Sequence, residues 1–175
     1  YNQHEFYVGN DNFSLIINFQ DCKAQVTIPS RFGNKNLLVF NAFKWFLSLL
    51  TIYNGGIPLH CSAVFINDKA LLFSGRSGIG KSTICNILSR TQNWQRGSDE
   101  LNLIFIQGSD AYGYPTPFLS FDGPVRTAGA QIKHLFFLGQ SLNNEIKSTE
   151  RNKKCWNLLK NVYTIPINDY MAEKM

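Results

Sequence analysis

Residues 75–82 read Gly-Arg-Ser-Gly-Ile-Gly-Lys-Ser, a glycine-rich run that ends in lysine and serine. The glycines would let the backbone turn inward, so that successive N–H groups point at phosphate oxygens. Lys81 adds a positive charge for the β- and γ-phosphates, and the Ser82 hydroxyl suits Mg²⁺. The pattern predicts a phosphate-binding loop, with a glycine-rich turn that caps an ordinary helix as the alternative. The expected nucleotide-binding residues are Gly75, Arg76, Ser77, Gly78, Ile79, Gly80, Lys81, Ser82 and Thr83.

A helix is expected to begin at Ser82 or Thr83 and to run to Arg90. The free N–H groups and the positive dipole end of such a helix favour a bound triphosphate. The loop and the helix together predict ATP and Mg²⁺ as ligands.

Asp99 and Glu100 stand at the entry to a predicted strand over residues 101–106. One carboxylate can accept the proton of an attacking hydroxyl, and the other can help hold Mg²⁺ beside Ser82. A surface acidic pair at a strand entry is the alternative reading. Because the pair follows the helix of the glycine-rich run, we assign Asp99 to catalysis and Glu100 with Ser82 to the metal.

Two strand-like runs, residues 61–66 and 69–74, flank Asn67 and Asp68, residue types that tolerate positive φ in a two-residue turn. The runs should therefore be antiparallel neighbours, with Ile66 opposite Lys69. The same register places His60 across from Gly75, which makes His60 a catalytic candidate. An ordinary doubly wound nucleotide-binding sheet would surround this strand with parallel partners instead.

These residues resemble the catalytic domain of HPr serine kinase/phosphorylase and its kinase-like relatives, with phosphoenolpyruvate carboxykinase as a more distant cousin. The resemblance covers about residues 57–140 and rests on His60, the glycine-rich run and Asp99. It implies a mixed α/β kinase fold with a largely antiparallel sheet around the phosphate loop and flanking helices. It also implies transfer of a phosphoryl group from ATP to a hydroxyl, with serine of a protein or peptide as the leading acceptor.

Arg126 lies in a segment bounded by glycine and proline. An arginine there could neutralise the transferring phosphoryl group or hold an acidic acceptor, so Arg126 joins Asp99, His60 and Lys81 as a catalytic candidate. A solvated loop cation is the alternative.

The length of 175 residues and the 44% hydrophobic content fit a single domain, with residues 1–34 as a small N-terminal β region packed on it.

Residues 37–52 predict an apolar helix that could be mistaken for a membrane span; its length, Asn41 and Lys44 favour a core helix and no membrane. The four cysteines have no metal-binding spacing and suit a reducing cytoplasm. A homo-oligomer is left open.

The net charge of +5 is concentrated near the C-terminal predicted helix and is read as a solvated basic face rather than a nucleic-acid surface. Three other functions stay open beside the protein or peptide kinase. They are a nucleotide-binding regulator without catalysis, a kinase of a small metabolite, and a basic nucleic-acid module.

Overall fold

The computed structural model describes residues 5–10, 13–28, 35–92, 94–118 and 126–163. The chain divides into two compact units: Tyr1–Gly55 with Thr164–Met175, and Gly56–Tyr163. The elements of the described residues are β1 (Glu5–Asn10), β2 (Phe13–Asn18), β3 (Lys23–Thr27), α1 (Lys35–Tyr53), β4 (Ile57–Leu59), β5 (Cys61–Ile66), β6 (Lys69–Ser74), α2 (Lys81–Gln92), β7 (Gln95–Arg96), β8 (Asn102–Gln107), β9 (Asp110–Pro115), β10 (Ala130–Phe137) and α3 (Arg151–Leu159).

The second unit contains a seven-stranded sheet in the order β4-β8-β9-β10-β6-β5-β7. Strands β6 and β10 are parallel, and the other pairings in this sheet are antiparallel. The sequence-based expectation of a mixed α/β fold with a largely antiparallel sheet is confirmed at this level.

The β5–β6 hairpin has the register expected from the sequence, with Ile66 opposite Lys69 and Cys61 opposite Ser74. Asn67 has φ 50°, the left-handed conformation that this two-residue turn requires. Beyond the last pair, the Ser74 hydroxyl donates to the carbonyl oxygen of His60 at 2.9 Å. The residue before β5 and the loop after β6 therefore leave the sheet at the same edge.

Strand β5 is buried on both faces, which explains its continuous apolar run. Because successive side chains alternate across a strand, Ala63 and Phe65 join the core on one face, while Val64 packs on the other against Cys85 of α2. Leu158 of α3 packs against the first of these clusters. Helix α2 is thus fixed on the sheet directly behind the glycine-rich run.

Strands β1, β2 and β3 form a separate antiparallel sheet in the first unit. Helix α1 belongs to this unit, where Tyr53 stacks on Phe19 with ring centroids 4.6 Å apart. The three strands lie within the range expected for the small β region, residues 1–34, and the first unit contains α1 as well.

Helix α1 differs from the core helix expected from the sequence. An 18-residue window, Asn36–Tyr53, has a mean hydropathy of 1.3 and is long and apolar enough to cross a membrane, and 17% of it is buried. Leu37, Val39 and Ile52 are among its exposed apolar side chains. The helix ends at Tyr53, and Gly55 follows with φ +73°, as expected for a glycine stop signal.

Gly97 provides the first test of this packing. A Cβ added there would overlap the ring of Phe65 and lie 3.1 Å from the Cβ of Ala63. We therefore expect Gly97→Ala to lower the free energy of unfolding by about 1–3 kcal/mol, measured by urea denaturation. Gly139→Ala is the control, because a Cβ at Gly139 meets nothing within 4 Å. Equal stability of the two variants would contradict the packing described here.

Candidate functional site

The loop between β6 and α2, residues 75–80, is the first component of the site and is called the glycine loop below. Gly75, Gly78 and Gly80 have φ values of +148°, +76° and +107°, a region that other residues rarely adopt. Helix α2 begins at Lys81, and the Ile84 N–H donates to the Gly80 carbonyl at 3.0 Å. The glycines therefore carry the chain from the sheet edge directly into a helix N-terminus, where backbone N–H groups favour an anion.

Lys81 is buried at the start of α2, with 7% of its surface exposed. Its ammonium donates to the carbonyl oxygens of Gly75 at 2.8 Å and Arg76 at 3.1 Å. Burial lowers the pKa of Lys81 below its ordinary value, and the negative charge of Glu100 acts in the opposite direction. A cation whose charge is disfavoured by burial gains from a nearby anion, so this position suits a phosphate ligand.

The chain between β7 and β8 runs along β5 and carries the two candidate carboxylates to the same sheet edge. The Gly97 N–H donates to Ala63 at 2.9 Å, and the Ala63 N–H donates to Ser98 at 3.1 Å. Further along, the Ser62 hydroxyl donates to the Asp99 carbonyl at 3.2 Å. These bonds fix the backbone that presents Asp99 and Glu100.

His60 is held between the turn that follows α3 and this segment. Its backbone N–H donates to the Asn161 carbonyl at 2.8 Å, and its ring Nδ1 lies 2.9 Å from the Glu100 carbonyl oxygen. Because a carbonyl oxygen can only accept, Nδ1 carries a proton, and a neutral ring then has its lone pair on Nε2. The bond to Glu100 therefore fixes the orientation of the ring as well as its tautomer.

Asp99 forms a buried ion pair with Arg96, and each side chain is 3% exposed. The guanidinium donates through Nη2 to Asp99 Oδ1 and through Nη1 to the side-chain oxygen of Asn86 on α2. Asp99 thus lies between the cleft described next and a buried cation that also contacts the helix of the glycine loop.

Most of the expected residues line one cleft with a volume of about 220 Å³. This is smaller than the roughly 300–1,000 Å³ of pockets that enclose a drug-sized ligand, so the described residues could enclose phosphate groups and not a whole nucleoside triphosphate. The lining residues are His60, Ser77, Gly78, Gly80, Lys81, Ser82, Thr83, Asp99 and Glu100.

The described residues contain no cluster of three or more histidine, cysteine or acidic side chains that would bind a metal ion by protein ligands alone. Mg²⁺ is usually held by one or two carboxylates together with substrate phosphates and water. Ser82 and Glu100, which share the cleft with Lys81, fit this kind of site.

Arg126 does not share the cleft. Its guanidinium bonds the carbonyl oxygens of Asn67, Ala128 and Gly129 and pairs with Asp68 at 3.2 Å. Asn67 and Asp68 form the β5–β6 turn, at the opposite end of the hairpin from the glycine loop. The structure therefore does not bring Arg126 to the cleft with the other catalytic candidates, because its guanidinium is held by the turn residues Asn67 and Asp68 and by the carbonyl oxygens of Ala128 and Gly129.

Three residues of the expected nucleotide set lie outside the cleft lining. They are Gly75, Arg76 and Ile79. Arg76 donates to the Gln140 side chain at 3.1 Å, and Gly75 lies at the sheet edge, where an added Cβ would come within 3.3 Å of the Leu138 carbonyl oxygen.

Sequence reasoning missed Arg96. The only signal was a basic residue three positions before Asp99, and that spacing does not reveal burial.

No protein-family model matches the chain, and no curated protein matches it significantly.

The buried thiols give a test of the site's interior. Burial raises the pKa of both Cys61 and Cys85 from 9.0 to about 12, whereas Cys22 and Cys155 are exposed. Because the thiolate is the nucleophile, this rise lowers the reactive fraction about 10³-fold. At pH 8, iodoacetamide should therefore modify Cys22 and Cys155 first, as followed by mass spectrometry, and all four thiols should react in urea. Labelling of Cys61 or Cys85 at the rate of Cys155 would refute the buried placement.

Proposed function

We propose that the chain is an ATP- and Mg²⁺-dependent kinase, similar to HPr kinase, that transfers a phosphoryl group to a hydroxyl, with serine of a protein or peptide as the leading acceptor. The observation that carries the proposal is the convergence of His60, Lys81, Ser82, Asp99 and Glu100 on one cleft beside the glycine loop. These residues come from three separate segments of the chain, so sequence proximity alone does not account for the grouping.

In this proposal the triphosphate is the ligand of the glycine loop and the start of α2. Backbone N–H groups there bind the phosphate oxygens, and Lys81 exchanges its bonds to loop carbonyls for bonds to the β- and γ-phosphates. The burial that disfavours the ammonium of Lys81 strengthens its attraction to the phosphates.

The acceptor hydroxyl attacks the γ-phosphorus from the open side of the cleft. A bond forms between the acceptor oxygen and phosphorus, the bond between phosphorus and the β–γ bridging oxygen breaks, and ADP leaves. Asp99 orients the hydroxyl and takes its proton. His60, whose ring is fixed by the Glu100 carbonyl, contacts the acceptor hydroxyl or a phosphate oxygen.

Ser82 and Glu100 would hold Mg²⁺ with the phosphates. The ion supplies positive charge that neutralises the phosphate oxygens during transfer. Glu100 also faces Lys81 closely enough to favour its charged form, so this carboxylate links the metal position to the phosphate-binding lysine.

The role of Asp99 gives a test of the proposed reaction. Asp99→Asn removes the proton acceptor and keeps the shape, so we expect turnover with a serine peptide and labelled ATP to fall by about 10²–10⁴-fold. The affinity for Mg·ATP, measured by calorimetry, should be no weaker than that of the wild type. Asp110→Asn is the control, because Asp110 is exposed at the start of β9. Full phosphoryl transfer by Asp99→Asn would exclude Asp99 as the base.

Lys81 gives a second test, which concerns the nucleotide. Lys81→Ala removes a charged donor from the phosphates and should weaken Mg·ATP binding by about 10- to 100-fold, with a loss of turnover. Lys133→Ala is the control, because Lys133 is exposed on β10. An unchanged Kd for Lys81→Ala would show that the phosphates do not bind at the glycine loop.

A further inference from the structure

We propose that Arg96 is a positioning residue that holds the Asp99 carboxylate in place and compensates its charge, so that the cleft can accept a polyphosphate. The inference rests on the proposed function, since it assigns a role to a residue behind the same site. Arg96 is not among the residues that line the cleft. It acts through Asp99, which lines the cleft and pairs with it.

The position of Arg96 is fixed by its backbone. It lies in the short strand β7, where it pairs with Val64 of β5, and its carbonyl accepts the N–H of Arg126 at 2.8 Å. Only 2% of its surface is exposed. A buried guanidinium held by backbone on both sides can set the position of the carboxylate it contacts.

The guanidinium is shared between two segments that form the site. One nitrogen donates to Asp99, and another donates to Asn86, which lies on α2 about 1.4 turns after Lys81. The planar fork of arginine allows both bonds at once, which the single ammonium of lysine does not. Arg96 therefore joins the helix that carries the phosphate-binding lysine to the candidate base.

The charge of Arg96 has a separate consequence. Asp99 and Glu100 both line the cleft in which the proposed reaction places the triphosphate. A carboxylate with no cation beside it would repel the phosphates at close range in a site of low dielectric constant. With Arg96 in place, the Asp99 carboxylate is held in one orientation, and its repulsion of the bound phosphates is much smaller.

The test compares Arg96→Met, Arg96→Lys and the double variant Arg96→Met/Asp99→Asn. Arg96→Met removes the guanidinium paired with Asp99, so we expect Mg·ATP to bind about tenfold more weakly or worse, with a lower Tm. The double variant removes the uncompensated charge, so Kd and Tm should return close to wild-type values while turnover stays as low as in Asp99→Asn. The double variant also gives the answer if Arg96→Met alone does not fold.

Arg96→Lys separates positioning from charge. Lysine keeps the positive charge and loses the fork, so we expect Kd for Mg·ATP near the wild-type value and kcat lower by about tenfold. Arg90→Met is the matched control, because Arg90 is an exposed arginine in the last turn of α2. It should leave Kd, kcat and Tm unchanged.

The possible outcomes separate this inference from the proposed function. If Arg96→Met binds Mg·ATP as tightly as the wild type, or if the double variant binds as weakly as Arg96→Met, charge compensation by Arg96 is overturned. An unchanged kcat in Arg96→Lys overturns the positioning role. Failure of the wild-type protein to bind Mg·ATP would instead overturn the proposed function, and this inference with it.

Discussion

The site depends on the register of the β5–β6 hairpin. A two-residue turn fixes Ile66 opposite Lys69, and the pairing then continues without a bulge to Cys61 and Ser74. A slip of one residue would exchange the two faces of each strand, moving Phe65 and Val64 into the wrong cores. The packing of both faces therefore enforces the one register that places His60 beside the glycine loop.

Two cations and two carboxylates lie at the cleft or directly behind it: Lys81, Asp99 and Glu100 line the cleft, and Arg96 lies behind Asp99. Arg96 and Asp99 form a pair that is nearly inaccessible to solvent, whereas Lys81 is bonded to carbonyl oxygens of its own loop. A buried ion pair is weak support for stability, because the cost of desolvating both charges can exceed their attraction. Its position behind the cleft instead fits the proposed role of Arg96 in holding the Asp99 carboxylate for phosphoryl transfer. Among the described residues, the ammonium of Lys81 bonds carbonyl oxygens and no carboxylate, so it can redirect its bonds to a ligand.

The backbone elements that carry the site could be predicted from sequence, and the partners of individual buried side chains could not. The hairpin and α2 follow from a turn signal and a motif, so their positions and the grouping of His60 with Lys81 were predicted. Arg96 bonds the side chains of Asn86, ten residues before it, and Asp99, three residues after it, but a strand of two residues leaves no periodic signal that would show the Arg96 side chain to be buried. The placement of Arg126 away from the cleft could not be predicted, because its sequence neighbours do not reveal that the Asn67 carbonyl and the Asp68 carboxylate of a distant hairpin turn contact its guanidinium.

The tautomer of His60 limits what this residue can contribute to the proposed reaction. Since Nδ1 donates to the Glu100 carbonyl, a neutral ring offers only a lone pair at Nε2. A lone pair can accept from an acceptor hydroxyl but repels a phosphate oxygen, which has no proton to donate. Contact with phosphate therefore requires the imidazolium form. Because the Glu100 carbonyl occupies Nδ1, the partner of His60 in the proposed reaction depends on the protonation state of the ring. A neutral ring favours the acceptor hydroxyl over the nucleotide phosphate.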